Sequence, residues 1–485
     1  MNDHIKFSSD VFWVGLSQIV IYALAFFTLP ALTKSFGSEL YGLWSQIVVT
    51  VGLLTPILTL HLSTATVRYL ASESDKYELS KSFINMLALI FLIILFVVLF
   101  SVLFRDFLAV LLFGSAQFSF FILLTFVWAG LETIFTFLLS YFRARGKIKR
   151  LSLINILFSI LKVSSLVILA SMGFSLEFLI MVIIFIELFL VILIFYLIMK
   201  DVGFNWPDFK GLRKYLNFSI PQIPSGALLW IIDSSDRYFI TAFLGLSQTG
   251  IYSASYSIGS LISMFYIPLS FVIFPILSNF WENNDIENVK NYLEYPTKLF
   301  LALAVPAAGG LFVLSKPLLL VLTTSEFAVG GLLTFLVALG TIFLGLYQIN
   351  LYIVYLIEKT KFIPFFIGFS TLFNIVLNIV LIPSIGIMGA AISTIVSYMI
   401  LALVVMIWAK RRIDYNFDII FIIKVIISSI FMMFVLNLFY VNSLFSIFLV
   451  AVLGFLVYCG FLLLFNPFKK KEKKIIIELI AGFKN

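Results

Sequence analysis

Apolar runs of about twenty residues recur from Val11 almost to Phe465, separated by short clusters of charged residues, glycine, proline and asparagine. Each run is long enough to cross a hydrocarbon core about 30 Å thick. The runs are apolar on every side instead of alternating in segments of about ten residues, so they predict helices and not barrel strands. Cutting at the polar clusters gives fourteen spans, near 11–33, 42–63, 83–104, 117–142, 151–172, 176–199, 216–243, 250–275, 296–315, 328–357, 363–382, 387–409, 419–440 and 443–465. The fold class this implies is an all-α polytopic membrane protein.

The order of elements repeats. "FGSELYGLWS" (36–45) aligns with "LGLSQTGIYS" (244–253), "RDFLAVL" (105–111) with "KPLLLVL" (316–322), and "YFRARGK" (141–147) with "YLIEKTK" (355–361), all at nearly constant offset. Three matches in order predict two homologous halves, spans 1–6 and 7–12. Six is even, so the halves start on the same side, as in a parallel repeat. The expected organisation is an N-terminal six-helix lobe at 1–200, a C-terminal one at 201–412, two additional helices at 413–466, and a basic tail at 467–485. Lys and Arg concentrate on one side, in "RARGKIKR", "KGLRK", "EKTK", "KRR" and "KKKEKK". By the positive-inside rule this places both termini in the cytoplasm of a multi-pass protein.

Composition sharpens the class. Of 485 residues, 62% are hydrophobic and 12% charged, with mean hydropathy +1.14, against roughly 45–50% and about 25% in soluble proteins. The net charge of +8 is then a topology signal and not a sign of nucleic acid. The single Cys459 allows no internal disulfide and suggests no thiol chemistry. No phosphate-binding loop occurs, since "ARGKIKR" lacks the first glycine and the Ser/Thr. No cofactor is expected.

Candidate chemistry lies in the charges inside the spans. An isolated charge at the bilayer centre costs about 2.5–3.5 kcal/mol on insertion scales, so "DSSDRYFI" (233–240) needs a reason. Asp233, Asp236 and Arg237 fall at i, i+3 and i+4, on one helical stripe with Trp230 and Gly226. Either an acid neutralises Arg237 in a self-contained pair, or the three form a charged wall of a water-filled cavity between the halves, the usual place for intramembrane charge. A magnesium-diphosphate site would need a second acidic cluster facing the first. The other cluster, "ENNDIEN" (282–288), belongs to the opposite membrane side, so no metal is expected. Glu132 and Lys162 suit packing or cavity lining equally, and Glu187 suits packing. His61 and Arg68, seven apart, share a face at the end of span 2. Arg68 either snorkels to the surface or receives an anionic headgroup, whereas His61 suits packing. Tyr252 and Tyr256 open an aromatic stripe with Gly259, Ser263 and Tyr266 that could stack on sugar rings or anchor the helix. Pro221, Pro224, Pro268 and Pro275 predict bends in spans 7 and 8.

Together, "FGSELYGLW", "FSIPQIPSGALLWIIDSSDRYFITAFLG" and "LIPSIGIMGAAIST" resemble the polysaccharide-export branch of the multidrug/oligosaccharidyl-lipid/polysaccharide exporter superfamily, with "SSDRYF" the most specific element. The resemblance is to repeat-unit flippases of O-antigen and capsule. It implies two six-helix lobes around a central cavity, alternating access, and a substrate of oligosaccharide on polyprenyl diphosphate, moved to the outer leaflet of the plasma membrane. Membrane lipids are the other expected partners, together with glycan assembly enzymes. Lipid II flippases of the same superfamily carry cavity arginines on spans 1, 2 and 8. Here spans 1 and 8 carry none, leaving Arg237, Arg68 and Lys162 to meet the diphosphate. Two rivals remain: a proton- or sodium-coupled multidrug antiporter using Glu132, Asp233 and Asp236, and a polysaccharide polymerase or ligase, for which the outer loops are short.

Overall fold

A computed structural model describes residues 3–415 and 418–465; the basic tail at 467–485 lies outside the described residues. Among these residues there is no strand, and eleven helices are long and apolar enough to cross a membrane. The other expected spans fall on interrupted helix. Helix α1 (Asp3–Leu58) carries the first two, which meet at Gly37, whose backbone (φ 70°, ψ −174°) is not helical. Span 7 is divided into α8 (Leu212–Ser219), α9 (Ile223–Ser234) and α10 (Asp236–Leu244), and span 8 into α11 (Leu246–Gly259) and α12 (Ser263–Glu282).

Between these lie α2 (Leu62–Leu70), α3 (Lys76–Leu103), α4 (Arg105–Phe113), α5 (Ser119–Ala144), α6 (Ile148–Ser171) and α7 (Leu176–Val202). The chain continues with α13 (Ile286–Leu322), α14 (Gly331–Leu356), α15 (Ile363–Ile385), α16 (Ile387–Lys410), α17 (Ile419–Leu436) and α18 (Leu444–Leu464). The repeat is visible in this order. The short turn Ala116–Phe118 between α4 and α5 has its counterpart in Ser325–Phe327 between α13 and α14. Helices α5, α6 and α7 then answer α14, α15 and α16.

Contacts divide the chain into two compact units between Gly250 and Ile251, inside α11. In the first, α1 packs on α5 and α6, and α5 on α2, α3 and α7. Its core is aromatic: Phe83 stacks on Phe137 at 4.9 Å and Trp44 meets Trp128 at 5.6 Å. In the second, α14 packs against α13 and α16, and α15 against α16. The added helices dock on α13. Lys298 Nζ pairs with Asp418 Oδ2 at 2.7 Å, and the Tyr458 hydroxyl donates to the Ala302 carbonyl at 2.7 Å. Asp418 also caps α17 by accepting from the Phe421 N–H. Outward positions such as Phe96, Phe185 and Phe365 are about 70% exposed, an arrangement suited to hydrocarbon as solvent.

The repeated glycine motif makes a contact of its own. Gly37 and Gly245 adopt nearly the same left-handed, extended conformation (φ 70° and 88°) and each starts a helical segment. Those segments then cross at Gly42 and Gly250. A Cβ on Gly42 would lie 1.9 Å from the Leu246 carbonyl oxygen, and one on Gly250 would lie 2.0 Å from the Ser38 carbonyl oxygen. Ser38 and Leu246 are themselves repeat partners, so the contact is self-complementary, as at a local two-fold axis. Backbones approach this closely only where small residues meet. Ser38 and Ser247 seal the crossing with an Oγ–Oγ hydrogen bond of 2.7 Å.

The crossing predicts that Gly42→Ala and Gly250→Ala each destabilise the purified protein by about 3 kcal/mol or more, the upper end of overpacking costs, because the obstacle is backbone. Gly460→Ala, where a Cβ meets open space, should leave the melting temperature unchanged. Equal melting of all three variants would refute the contact.

Candidate functional site

The segment carrying "DSSDRYFI" is placed by its prolines. Ile220–Gln222 forms a single 3-10 turn, and Pro224 stands in the first turn of α9, where a missing N–H costs nothing. The helix breaks at Ser235, and α10 begins with Asp236. Arg237 is buried, with 6% of its surface exposed, and Asp236 is fully buried. Arg237 Nη1 donates to Asp236 Oδ1 at 2.9 Å and to the backbone carbonyl of Asp233 at 2.9 Å. The Arg237 N–H also donates to Asp236 Oδ1, at 2.8 Å.

Of the two acids that the sequence offers Arg237, the structure pairs it with Asp236. Asp233 and Arg237 stand at i and i+4, yet it is the carbonyl of Asp233 that receives the guanidinium, while its carboxylate is exposed and accepts from Ser234 Oγ at 3.2 Å. The break at Ser235 lets the neighbouring Asp236 take the charge. The rest of the expected stripe faces α1 and the turn after it. Trp230 packs on Tyr238 at 5.7 Å, the Tyr238 hydroxyl bonds Thr50 Oγ1 at 2.6 Å, and Gly226 abuts the His61 ring.

A second group of charges gathers around Trp128 on α5. The indole N–H donates to Glu187 Oε2 on α7 at 2.9 Å, both residues being fully buried. The face of the same ring receives Lys162 Nζ from α6 at 4.7 Å. The Glu132 carboxyl, one turn on from Trp128, reaches that of Glu187. Lys162 makes no ion pair within 4.0 Å with an acid among the described residues. The lysine lies over an aromatic face instead, a contact worth about 2 kcal/mol where water is excluded. Trp128 was not singled out from the sequence; its spacing of four from Glu132 was the available signal.

Arg68 lies in a third place. Leu60 and His61 both take left-handed conformations (φ 47° and 53°), so the chain turns between α1 and α2. His61 and Arg68 therefore do not share a helix face as their spacing suggested. The Arg68 guanidinium stands over the Phe218 ring at 4.4 Å and near the Tyr69 ring at 5.6 Å. From α8, Lys214 Nζ lies 4.6 Å from the Tyr69 ring. Helix α8 is held in turn by the loop before it. Asn85 on α3 donates to Asp208 Oδ1 at 2.9 Å and accepts from the N–H of Asp208 at 3.0 Å, while Lys81 pairs with Asp208 at 3.0 Å. The bonds from Asn85 and then Lys81 hold the Asp208 carboxyl down at about 2.

In the second unit, Tyr252 is fully buried and Tyr256 half-buried, their rings 5.9 Å apart. The helix breaks at Ser260–Ile262, so the expected tyrosine stripe is divided before Tyr266, which packs edge-on against Phe300 at 6.0 Å. Buried Lys298 and half-buried Asp418 are a further ion pair that the sequence reading passed over, because the two are 120 residues apart.

The family model for polysaccharide biosynthesis proteins matches residues 7–281, more than half of the chain. The chain belongs to this family. The family model MatE matches residues 221–380 as well, and the resemblance carried by "SSDRYF" and the glycine motifs is borne out. Among curated relatives, the probable low-salt glycan biosynthesis flippase Agl15 of Haloferax volcanii is 25% identical over 278 residues, 56% of this chain and 59% of that protein. An uncharacterized membrane protein of Methanocaldococcus jannaschii is 22% identical over 209 residues, 43% of this chain and 41% of the relative. The matches thus span about three fifths or less of those relatives. Among solved structures, the lipid II flippase MurJ in an inward closed conformation superimposes with a TM-score of 0.74 at 20% identity, covering 92% of this chain and 97% of that one. An inward-facing multidrug resistance MATE family transporter of the MOP superfamily gives 0.65 at 14%, covering 81% and 94%. At these identities the likeness is one of fold, and it agrees with an all-α polytopic fold for this family member.

Two outcomes follow from the geometry. Asp236→Asn, which strips a fully buried guanidinium of its carboxylate, should cost about 3–5 kcal/mol and lower the protein level well below that of Asp233→Asn, whose carboxylate is exposed; quantitative immunoblotting of membranes compares them. Asp208 is depressed, so its contribution is present above the ordinary carboxylate range near 3.9 and fades only as pH falls towards about 2. Tryptic cleavage at Lys210 should accordingly be flat from about pH 6 to about pH 9, once corrected for the enzyme's own activity, and rise several-fold in Asn85→Ala.

Proposed function

We propose that this chain is a flippase that carries oligosaccharide units on a polyprenyl diphosphate from the cytoplasmic to the outer leaflet of the plasma membrane by alternating access, with both termini cytoplasmic. The observation that carries this reading is the family match over residues 7–281, the region that holds "SSDRYF" and its buried Arg237. The relationship to Agl15, named as a probable glycan biosynthesis flippase, supports it. The chain acts as a transporter and not as a polymerase or ligase. Its repeats at 1–200 and 201–412 form the transporting lobes, and 413–466 is an addition docked through Lys298 and Asp418.

In this reading the substrate-binding residues are Arg237, with Asp233 and Asp236 setting its position, and Arg68, Lys162, Glu132, Tyr252 and Tyr256. A guanidinium suits phosphate because its planar fork presents paired donors. Tyrosine rings suit the faces of sugars, and carboxylates accept their hydroxyl protons. Glycan assembly enzymes are the partners that supply the substrate.

The match to the MatE model over residues 221–380 favours a second reading, a cation-coupled drug antiporter. One experiment separates them. In a strain deleted for the gene, lipid-linked glycan should accumulate on the cytoplasmic leaflet, surface glycan should fall, and drug susceptibility should stay unchanged. Higher drug susceptibility with normal leaflet distribution would replace the first reading by the second. Purified protein in liposomes should move a fluorescent lipid-linked oligosaccharide without added ATP; movement that depends on ATP would contradict the reading.

A further inference from the structure

The cations on α2 and α8 share one aromatic platform. Tyr69 packs edge-on against Tyr215 at 5.5 Å and against Phe218 at 5.6 Å. Arg68 lies over Phe218, Lys214 lies over Tyr69, and both cations stand within 5.6 Å of the Tyr69 ring. Both are exposed, and neither makes an ion pair within 4.0 Å among the described residues. Two like charges bordering one ring repel each other. Packing their stems on rings holds them there, and an anion at that ring is attracted by both.

The platform is also rigid where it needs to be. Tyr215 is buried and its hydroxyl donates to Ser82 Oγ on α3 at 3.0 Å. The loop before α8 is fastened to α3 by Asn85 and Lys81 through Asp208, and by Ser80 Oγ donating to the Gly203 carbonyl at 2.6 Å. Thr64 on α2 reaches Gln222 just beyond α8 at 3.4 Å. Two helices distant in sequence are thereby held so that both cations border the Tyr69 ring. A snorkelling arginine would extend away from the protein, whereas Arg68 folds back over Phe218.

We propose that Arg68 and Lys214, on the Tyr69–Tyr215–Phe218 platform, form a docking site for the diphosphate of an isoprenoid diphosphate lipid. The chemistry fits the occupant. Two separate cations match two linked phosphates, the guanidinium taking one by paired hydrogen bonds and the ammonium the other as a point charge. The partly exposed rings beside them offer an apolar face to the isoprenoid or the first sugar. The site deepens the flippase reading and rests on it for its purpose: it is where the substrate's headgroup is received, apart from the buried Arg237.

The test uses full-length protein in neutral detergent and geranylgeranyl diphosphate as probe, with geranylgeraniol as the uncharged control. Arg68→Gln and Lys214→Gln should each weaken diphosphate binding roughly three- to tenfold, with geranylgeraniol binding and melting temperature unchanged. Lys214→Arg should retain most of the affinity, and inorganic pyrophosphate should compete for the wild type. Unchanged diphosphate affinity in both glutamine variants overturns the site, as does an equal loss for geranylgeraniol, which would mean damaged packing. Displacement of the probe by phosphatidylglycerol as effectively as by pyrophosphate also overturns it, because the platform would then serve bulk anionic lipid. Liposome assays keep the two readings apart. Wild-type protein that binds the probe through these residues yet moves no lipid-linked oligosaccharide would retain the site and discard the flippase. Normal movement together with indifferent variants would do the reverse.

Discussion

The crossing of Gly42 over Gly250 sets the distance at which the two repeat motifs meet. In a membrane no hydrophobic force draws helices together, because lipid tails are as apolar as leucine; close van der Waals packing and hydrogen bonds do it instead. The missing Cβ atoms allow each helix start to place its carbonyl oxygen, at Ser38 and at Leu246, against the glycine of the other. Gly37 and Gly245 turn the chain into those starts with the same unusual backbone. From the crossing outward the two segments stay in register, through the Ser38–Ser247 bond and then Thr50 with Tyr238. Arg237 lies one residue from that tyrosine, so the position of the buried charge depends on the crossing.

Charge inside this protein is accommodated in two ways. Arg237 with Asp236 and Lys298 with Asp418 are neutralised pairs, and each also braces structure: the first at a helix break, the second where the added helices dock. Lys162, Arg68 and Lys214 lie on aromatic faces instead. A ring stabilises a cation without cancelling it, so Arg68 and Lys214 keep their positive field, while Lys162 shares Trp128 with the Glu187 carboxyl. Paired charges brace helix breaks and docking points, and ring-borne charges keep their sign.

Much of the fold was legible because its signals are local. Hydrocarbon demands helices of about twenty apolar residues, so the all-α class could be read from the apolar runs. Even the break at Gly37 was readable as the boundary between two spans, although the helix registers as one continuous element on either side of it. Residue types were legible too: an arginine in an apolar run is costly enough to be conspicuous wherever it occurs.

Partners were not legible, since they depend on where helices break and which faces meet. The sequence offered Arg237 either Asp233 or Asp236 and the structure pairs it with Asp236, while the turn at Leu60 and His61 separated two residues that a straight helix would have aligned. Lys162 found the Trp128 ring on another helix, and Arg68 found Phe218 across 150 residues of chain. The sequence by itself determined that this is a helical, internally repeated membrane protein with charges too costly to be idle. Only the tertiary structure decided which charges are neutralised and which keep their sign, because a charge's fate is set by the few ångströms around it and those neighbours come from distant parts of the chain.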